Sequence, residues 1–268
     1  MKILIIGGGN MGQTYARSIL RSQIAEKEDL MILEKNNDKA KTLEHADIGI
    51  IYGEPSQCVH LADLIILAVK PQDIKELFPR IKPIVASNQV ILSIMAGITM
   101  KSIADALGSE KVIRAMPNLP AQVGMGMTVF TSTEAVTRLE LVMVQNLINT
   151  TGKSIYVAEE SAIDSSTAIS GSGPAYVFFF MQTMMQSALK LGFSKSEAEL
   201  LVSQTFRGTI DLYRKNNFNC EEWIQKVSSR GGTTEAAIKS FNDDVLDRKI
   251  IHGIEQAFVR AVELGNLD

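Results

Sequence analysis

Three clusters of small residues in this chain have the spacing of backbone cradles. The first, Gly7-Gly8-Gly9-Asn10-Met11-Gly12, follows the apolar run Ile3–Ile6 and sets glycines 7, 9 and 12 in a G-x-G-x-x-G spacing. Such glycines let the chain turn tightly from strand into helix and approach a pyrophosphate, with the helix N-terminus directed at the negative charge. Glu34 closes the next apolar run, where a carboxylate can accept hydrogen bonds from an adenosine ribose. The expected ligand is a nicotinamide dinucleotide, bound by Gly7, Gly9, Asn10, Met11, Gly12 and Glu34. The second cluster, Ser170-Gly171-Ser172-Gly173-Pro174, carries a proline suited to the first position of a helix. The third, Ser228-Ser229-Arg230-Gly231-Gly232-Thr233-Thr234-Glu235, admits two readings. It is a plain helix start, with Thr233 as cap and Glu235 at the positive end of the dipole, or an anion site of free N–H groups and hydroxyls.

The first half of the chain must position these groups. Runs rich in β-formers occur at Ile3–Ile6, Leu30–Leu33, Leu64–Val69, Val90–Ile94, Lys111–Ala115, Thr128–Phe130 and Ser154–Val157, separated by helix-length segments. Runs such as Leu64–Val69 are apolar on both faces, as a parallel sheet covered by helices requires. The pattern predicts an α/β Rossmann-type doubly wound domain over 1–157. Ligands of open α/β sheets bind beyond the carboxyl ends of strands, so Ala68-Val69-Lys70-Pro71, Ala96-Gly97 and Asn118 are further candidates for cofactor contact. Lys70 also reads as an ordinary solvated lysine; its place at a strand end favours the cofactor edge.

From 158 to 268 the pattern is helical, with segments beyond Pro174 and at Lys195–Arg214, Glu221–Val227, Thr234–Phe241 and Val245–Leu264. Phe178, Phe179, Phe180, Met181, Met184, Met185 and Leu189 cover too much of one helix for a single amphipathic stripe. That helix needs cover on several sides, from a second subunit or from a monomer's core.

Composition excludes other classes. A net charge of −3 gives no general attraction for nucleic acid or anionic membrane. Cys58 and Cys220 lie far apart and outside any metal-ligand spacing, as in a reducing compartment. No metal, nucleic-acid or membrane partner is expected, and the expected location is cytoplasmic.

A bound nicotinamide transfers hydride, so the acceptor is the next question. Reducing a ketone leaves an alkoxide that needs a positioned acid. His45, His60 and His252 fall in peripheral or terminal helical segments, and 154–189 contains no Lys, Arg or His. A protonated imine accepts hydride at carbon and becomes a neutral amine, so small hydroxyls and N–H groups suffice by placement.

The segments GGGNMG, AVKPQ, AGI, RAMPNLPA, SGSGPAYVF and VSSRGGTTEAAI follow one another in an order and spacing that resemble the pyrroline-5-carboxylate reductases. The resemblance implies NAD(P)H-dependent reduction of 1-pyrroline-5-carboxylate to L-proline, the last step of proline biosynthesis. It implies a Rossmann domain followed by an all-helical dimerisation domain, a homodimer with active sites formed at the dimer, and in some members a decamer. Ser229, Gly231, Gly232, Thr233 and Thr234 then match the turn that cradles the substrate carboxylate, with the Thr234 hydroxyl near the ring nitrogen as the catalytic position. Ser172 matches the loop that opens the interface helix. The chain departs from the pattern at Arg230, where proline is usual, at Leu119, where threonine is common, and around Asn219-Cys220 and Gln225, where His-Pro and Asp are missing. Glu34 leans toward NADH, because a carboxylate there repels the 2′-phosphate of NADPH. Two rival readings stand beside this one. One is a 3-hydroxyacid dehydrogenase, which needs a catalytic lysine early in the helical half; the other is a catalytically weak nucleotide-binding relative.

Overall fold

A computed structural model describes residues 1–265 of the chain. Strands β1 (Ile3–Ile6), β2 (Leu30–Leu33), β3 (Ile50–Tyr52), β4 (Leu64–Leu67), β5 (Val90–Ser93), β6 (Val112–Met116), β7 (Gly126–Ser132) and β8 (Gly152–Tyr156) form one sheet in the order β3-β2-β1-β4-β5-β6-β7-β8. Helices α1 (Asn10–Arg21), α2 (Asn37–Ala46), α3 (Ile74–Ile81), α4 (Met100–Leu107) and α5 (Arg138–Asn149) connect and cover these strands. Ile3 and Ile5 face a core with Tyr15, Ile19, Leu43 and Val144, while Leu4 and Ile6 face another with Phe78, Ile81, Ile103 and Leu107. A sheet buried on both faces explains why its central strands are uninterrupted apolar runs. Strand order reverses between β1 and β4, which opens the crevice where such sheets take their ligands.

Two features depart from the sequence reading. Strand β3, half exposed and only 3 residues long, joins the sheet edge beside β2. Strand β7 runs antiparallel to β6, whereas every other pairing is parallel. The intervening segment 117–125 is shorter than the dozen or so residues that a parallel crossover needs.

Helix α6 (Ser161–Ser166) runs directly into a π turn, Thr167–Gly171. Then follow α7 (Gly173–Lys190), α8 (Lys195–Arg214), α9 (Cys220–Val227), α10 (Thr233–Asp243) and α11 (Leu246–Gly265). Ser194 with Glu197 and Asn219 with Glu222 form capping boxes at the starts of α8 and α9. The chain forms two compact units, Met1–Ser172 together with the chain from Ala257 onward, and Gly173–Gln256.

Helix α7 has no buried residue within its own chain. Val177, Phe178, Phe179, Met184 and Leu189 are all exposed, Phe179 by 66%. Of the two covers the sequence allows for this helix, the chain's own core does not supply one. Cys58 is buried, which pushes its thiol up to about 11, and Cys220 is exposed.

Candidate functional site

The glycine turn after β1 is shaped by close approach. Gly7 adopts φ 107° and donates its N–H to the Leu33 carbonyl at 2.9 Å, and a Cβ there would sit 2.8 Å from the Ala68 carbonyl oxygen. A Cβ on Gly12 would run into the Gly7 carbonyl. Gly9, the N-cap of α1, has open space around it and no side chain to satisfy the leading N–H groups. The first turn of α1 also lacks any acidic residue. Those N–H groups are left for an external anion, so the turn fits a dinucleotide pyrophosphate.

A cavity of about 370 Å³ opens beside it, lined among others by Gly7, Gly9, Glu34, Ala68, Val69 and Lys70. Glu34 is 8% exposed, and its two carboxylate oxygens accept the N–H groups of Gly8 at 3.1 Å and Asn36 at 2.9 Å. Lys39 lies 3.7 Å from the same carboxylate. Lys35 reaches across to α3, donating to Glu76 at 2.8 Å and meeting Asp73 at 3.5 Å. Those carboxylates raise the Lys35 pKa, and Lys35 holds the Glu76 carboxyl below its ordinary value. Arg80, also on the cavity wall, donates to Glu54 at 2.6 Å. Three of the cations at this end thus have carboxylates at hand.

Asn10, Met11, Pro71, Ala96, Gly97 and Asn118 lie outside the lining of this cavity. Asn10 opens α1, Met11 packs against the core, and Pro71 begins a short 3₁₀ turn. Ala96 and Gly97 follow β5, and Asn118 follows β6. Those strands stand one and two places beyond β4 in the sheet, each step being about 4.8 Å. Gly97 has φ 75°, and a Cβ there would come 2.8 Å from the Leu264 carbonyl carbon.

Asn118 makes two bonds. Its Nδ2 donates to the Ser170 carbonyl at 3.0 Å, and its Oδ1 accepts the Met127 N–H at 2.8 Å. The Ser172 N–H closes the π turn on the Thr167 carbonyl at 2.8 Å. The sequence reading passed over Arg114, two strand positions before Met116. A charged residue inside an apolar strand was the available signal, since a buried arginine requires partners. Glu160 and Asp164, four residues apart, are those partners.

In the helical unit, Ser229 to Thr234 form the turn before α10. Gly231 adopts φ 70° and donates its N–H to the Glu235 carboxylate at 2.6 Å, and the Gly232 N–H closes on the Ser229 carbonyl at 2.9 Å. Gly232 is the N-cap, with no side-chain cap bond; the expected cap, Thr233, is instead the first helical residue. Gly232 has no room for a side chain, because a Cβ would meet the Ser229 hydroxyl at 2.5 Å. Gly231 thus presents its N–H to a carboxylate, here one from the chain itself. Thr233 is exposed and Thr234 half-buried.

Residues 160–264 match a family model described as pyrroline-5-carboxylate reductase dimerisation, and residues 2–97 match one described as NADP oxidoreductase, coenzyme F420-dependent. The chain is 32% identical to pyrroline-5-carboxylate reductase 2 of Bacillus subtilis, over 98% of this chain and 95% of that one. It is 32% identical to the pyrroline-5-carboxylate reductase of Pseudomonas aeruginosa over 98% and 96% of the two chains. Its structure is similar to that of a pyrroline-5-carboxylate reductase from Coxiella burnetii, with TM-score 0.89, 31% identity and 98% of both chains covered. The Plasmodium falciparum pyrroline carboxylate reductase with NADP bound superposes with TM-score 0.88 at 26% identity, covering 99% of this chain and 98% of that one.

Proposed function

This chain belongs to the pyrroline-5-carboxylate reductase family of NAD(P)-dependent oxidoreductases, and on that premise we propose that it reduces the C=N bond of 1-pyrroline-5-carboxylate to give L-proline. The nicotinamide supplies the hydride. The protonated imine takes that hydride at carbon, the C=N π pair becomes the nitrogen lone pair, and the product is a neutral secondary amine with no alkoxide to protonate. The observation that carries the reading is the pair of cradles: an uncapped α1 N-terminus behind Gly7 and Gly9, and a Gly231 N–H that already binds a carboxylate. In this reading Ser229, Gly231, Gly232 and Thr233 hold the substrate carboxylate, displacing Glu235 from Gly231. Thr234 orients the ring nitrogen, and Ser172, at the end of the π turn, is a further substrate-binding residue. Residues 1–157 bind the dinucleotide, with Ala96, Gly97 and Asn118 toward its nicotinamide end. Residues 158–268 supply the substrate turn and the dimer contacts. The working form is a homodimer in the cytoplasm, with a decamer as a higher assembly.

The cofactor reading is NADH first and NADPH second. Glu34 supports it by placing a buried carboxylate on the cavity wall. Lys35 supports it too, since its ammonium is directed to Glu76 and Asp73. The deciding experiment is NAD(P)H oxidation with synthetic pyrroline-5-carboxylate as acceptor. Steady turnover with proline as product is expected. Turnover only with a hydroxyacid pair, or dinucleotide binding with no turnover, would reject the reading.

A further inference from the structure

Arg114 is the bulkiest of the fully buried side chains. Its register partners are Ser93 on β5 and Thr131 on β7, both also fully buried, so a polar row crosses three strands near the carboxyl edge of the sheet. The guanidinium donates from Nη1 to Glu160 Oε1 at 3.0 Å and from Nη2 to Asp164 Oδ1 at 2.7 Å. Glu160 Oε1 also accepts the N–H of Met100 at 2.7 Å, at the start of α4 just past Ala96-Gly97. Two positions along, Met116 lies beneath Gly171, where a Cβ would meet its Cε at 3.1 Å. Two further on, Asn118 binds the Ser170 carbonyl. Residues 114, 116 and 118 therefore grip successive points of α6 and the π turn.

Desolvating a guanidinium is costly, and pairing it with carboxylates offsets that cost without guaranteeing a stability gain. What its rigid planar fork adds is direction, because two donors at fixed angles orient two carboxylates at once. π turns are rare and frequent at functional sites. We infer that Arg114 is a positioning residue: acting through Glu160 and Asp164, it sets the π turn so that Ser170–Ser172 meets the reacting substrate in register with the loop after β5. The inference rests on the imine-reductase reading only for its kinetic part.

The test compares wild type with Asp164→Asn, Glu160→Gln and Arg114→Met in the full-length protein. Asp164→Asn keeps its shape and an acceptor for Nη2, so it remains informative if Arg114→Met fails to fold. A slightly displaced substrate-side segment should lower kcat with pyrroline-5-carboxylate about tenfold while NADH Kd stays within about twofold. Amide exchange across 167–172, led by the Ser172 N–H, should quicken in the same variants. Exchange reads the coupling even if wild type fails to reduce the imine, so loss of the activity reading and loss of this inference are separate results. Unchanged exchange in the folded variants would overturn it. So would a lower Tm with kcat per folded molecule intact, or a fall in NADH affinity parallel to that in kcat.

Discussion

Glu34 and Thr234 carry the two most direct residue-scale consequences. Glu34 sits on the cavity wall with both oxygens engaged by backbone N–H groups, so its charge cannot swing away from an incoming 2′-phosphate without breaking those bonds. Close contact between like charges costs several kcal/mol. Comparing kcat/KM for NADH and NADPH in wild type and Glu34→Ser should show an NADH preference that narrows or reverses in the variant. A strong wild-type preference for NADPH would contradict this reading of Glu34. For Thr234, loss of one hydrogen bond to a charged partner costs about 1.5–3 kcal/mol. Thr234→Ala should therefore lower kcat/KM for the imine by roughly ten- to a hundredfold. NADH affinity, measured by fluorescence titration, should stay unchanged.

At the scale of elements, the glycine turn joins β1 to α1 by contacts that exclude a side chain. Gly12 lies against the Gly7 carbonyl, so Gly12→Ala must push α1 away from β1 or twist the turn. Overpacking of this kind costs about 1–3 kcal/mol. The same shift would carry the leading N–H groups of α1 off the pyrophosphate. Thermal melts with and without NADH should show a lower Tm for the apo protein and a smaller ligand-induced rise than in wild type. An unchanged rise would show that the turn relaxes without moving the helix. Helix α6 and its π turn are grouped with the sheet rather than with the helices that follow, and the bonds of Arg114 and Asn118 give the physical reason.

At the scale of the whole molecule, α7 poses a solvation problem that one chain leaves unsolved. Val177, Phe178, Phe179, Met184 and Leu189 are exposed along it, and apolar surface of this kind marks an interaction face. The matched dimerisation region, 160–264, includes it. A second copy burying α7 should make wild type sediment as a dimer or a multiple of it at micromolar concentration. Phe179→Asp or Met184→Glu should shift the population to monomer or to insoluble protein. A well-folded wild-type monomer would refute the shared-helix arrangement.

Sequence by itself determined what local patterning can encode. The glycine spacing, Glu34 at the end of β2 and the apolar runs of the central strands specify a dinucleotide fold, because tight turns and two-sided burial depend on residues close in the chain. The segments RAMPN, SGSGPAY and GGTT are also readable in the sequence, where their order and spacing carry the resemblance to one family. The antiparallel course of β7 was not legible, because the runs Lys111–Ala115 and Thr128–Phe130 leave room for a crossover, and only the full length of the folded strands shortens the link to 117–125. Tertiary structure alone decided which distant groups meet. Nothing local pairs Arg114 with Glu160 and Asp164, turns Lys35 toward Glu76 or lets a short, half-exposed β3 complete the sheet edge. Charged side chains choose partners by distance and desolvation after the segments have packed, and those quantities exist only once the chain has folded.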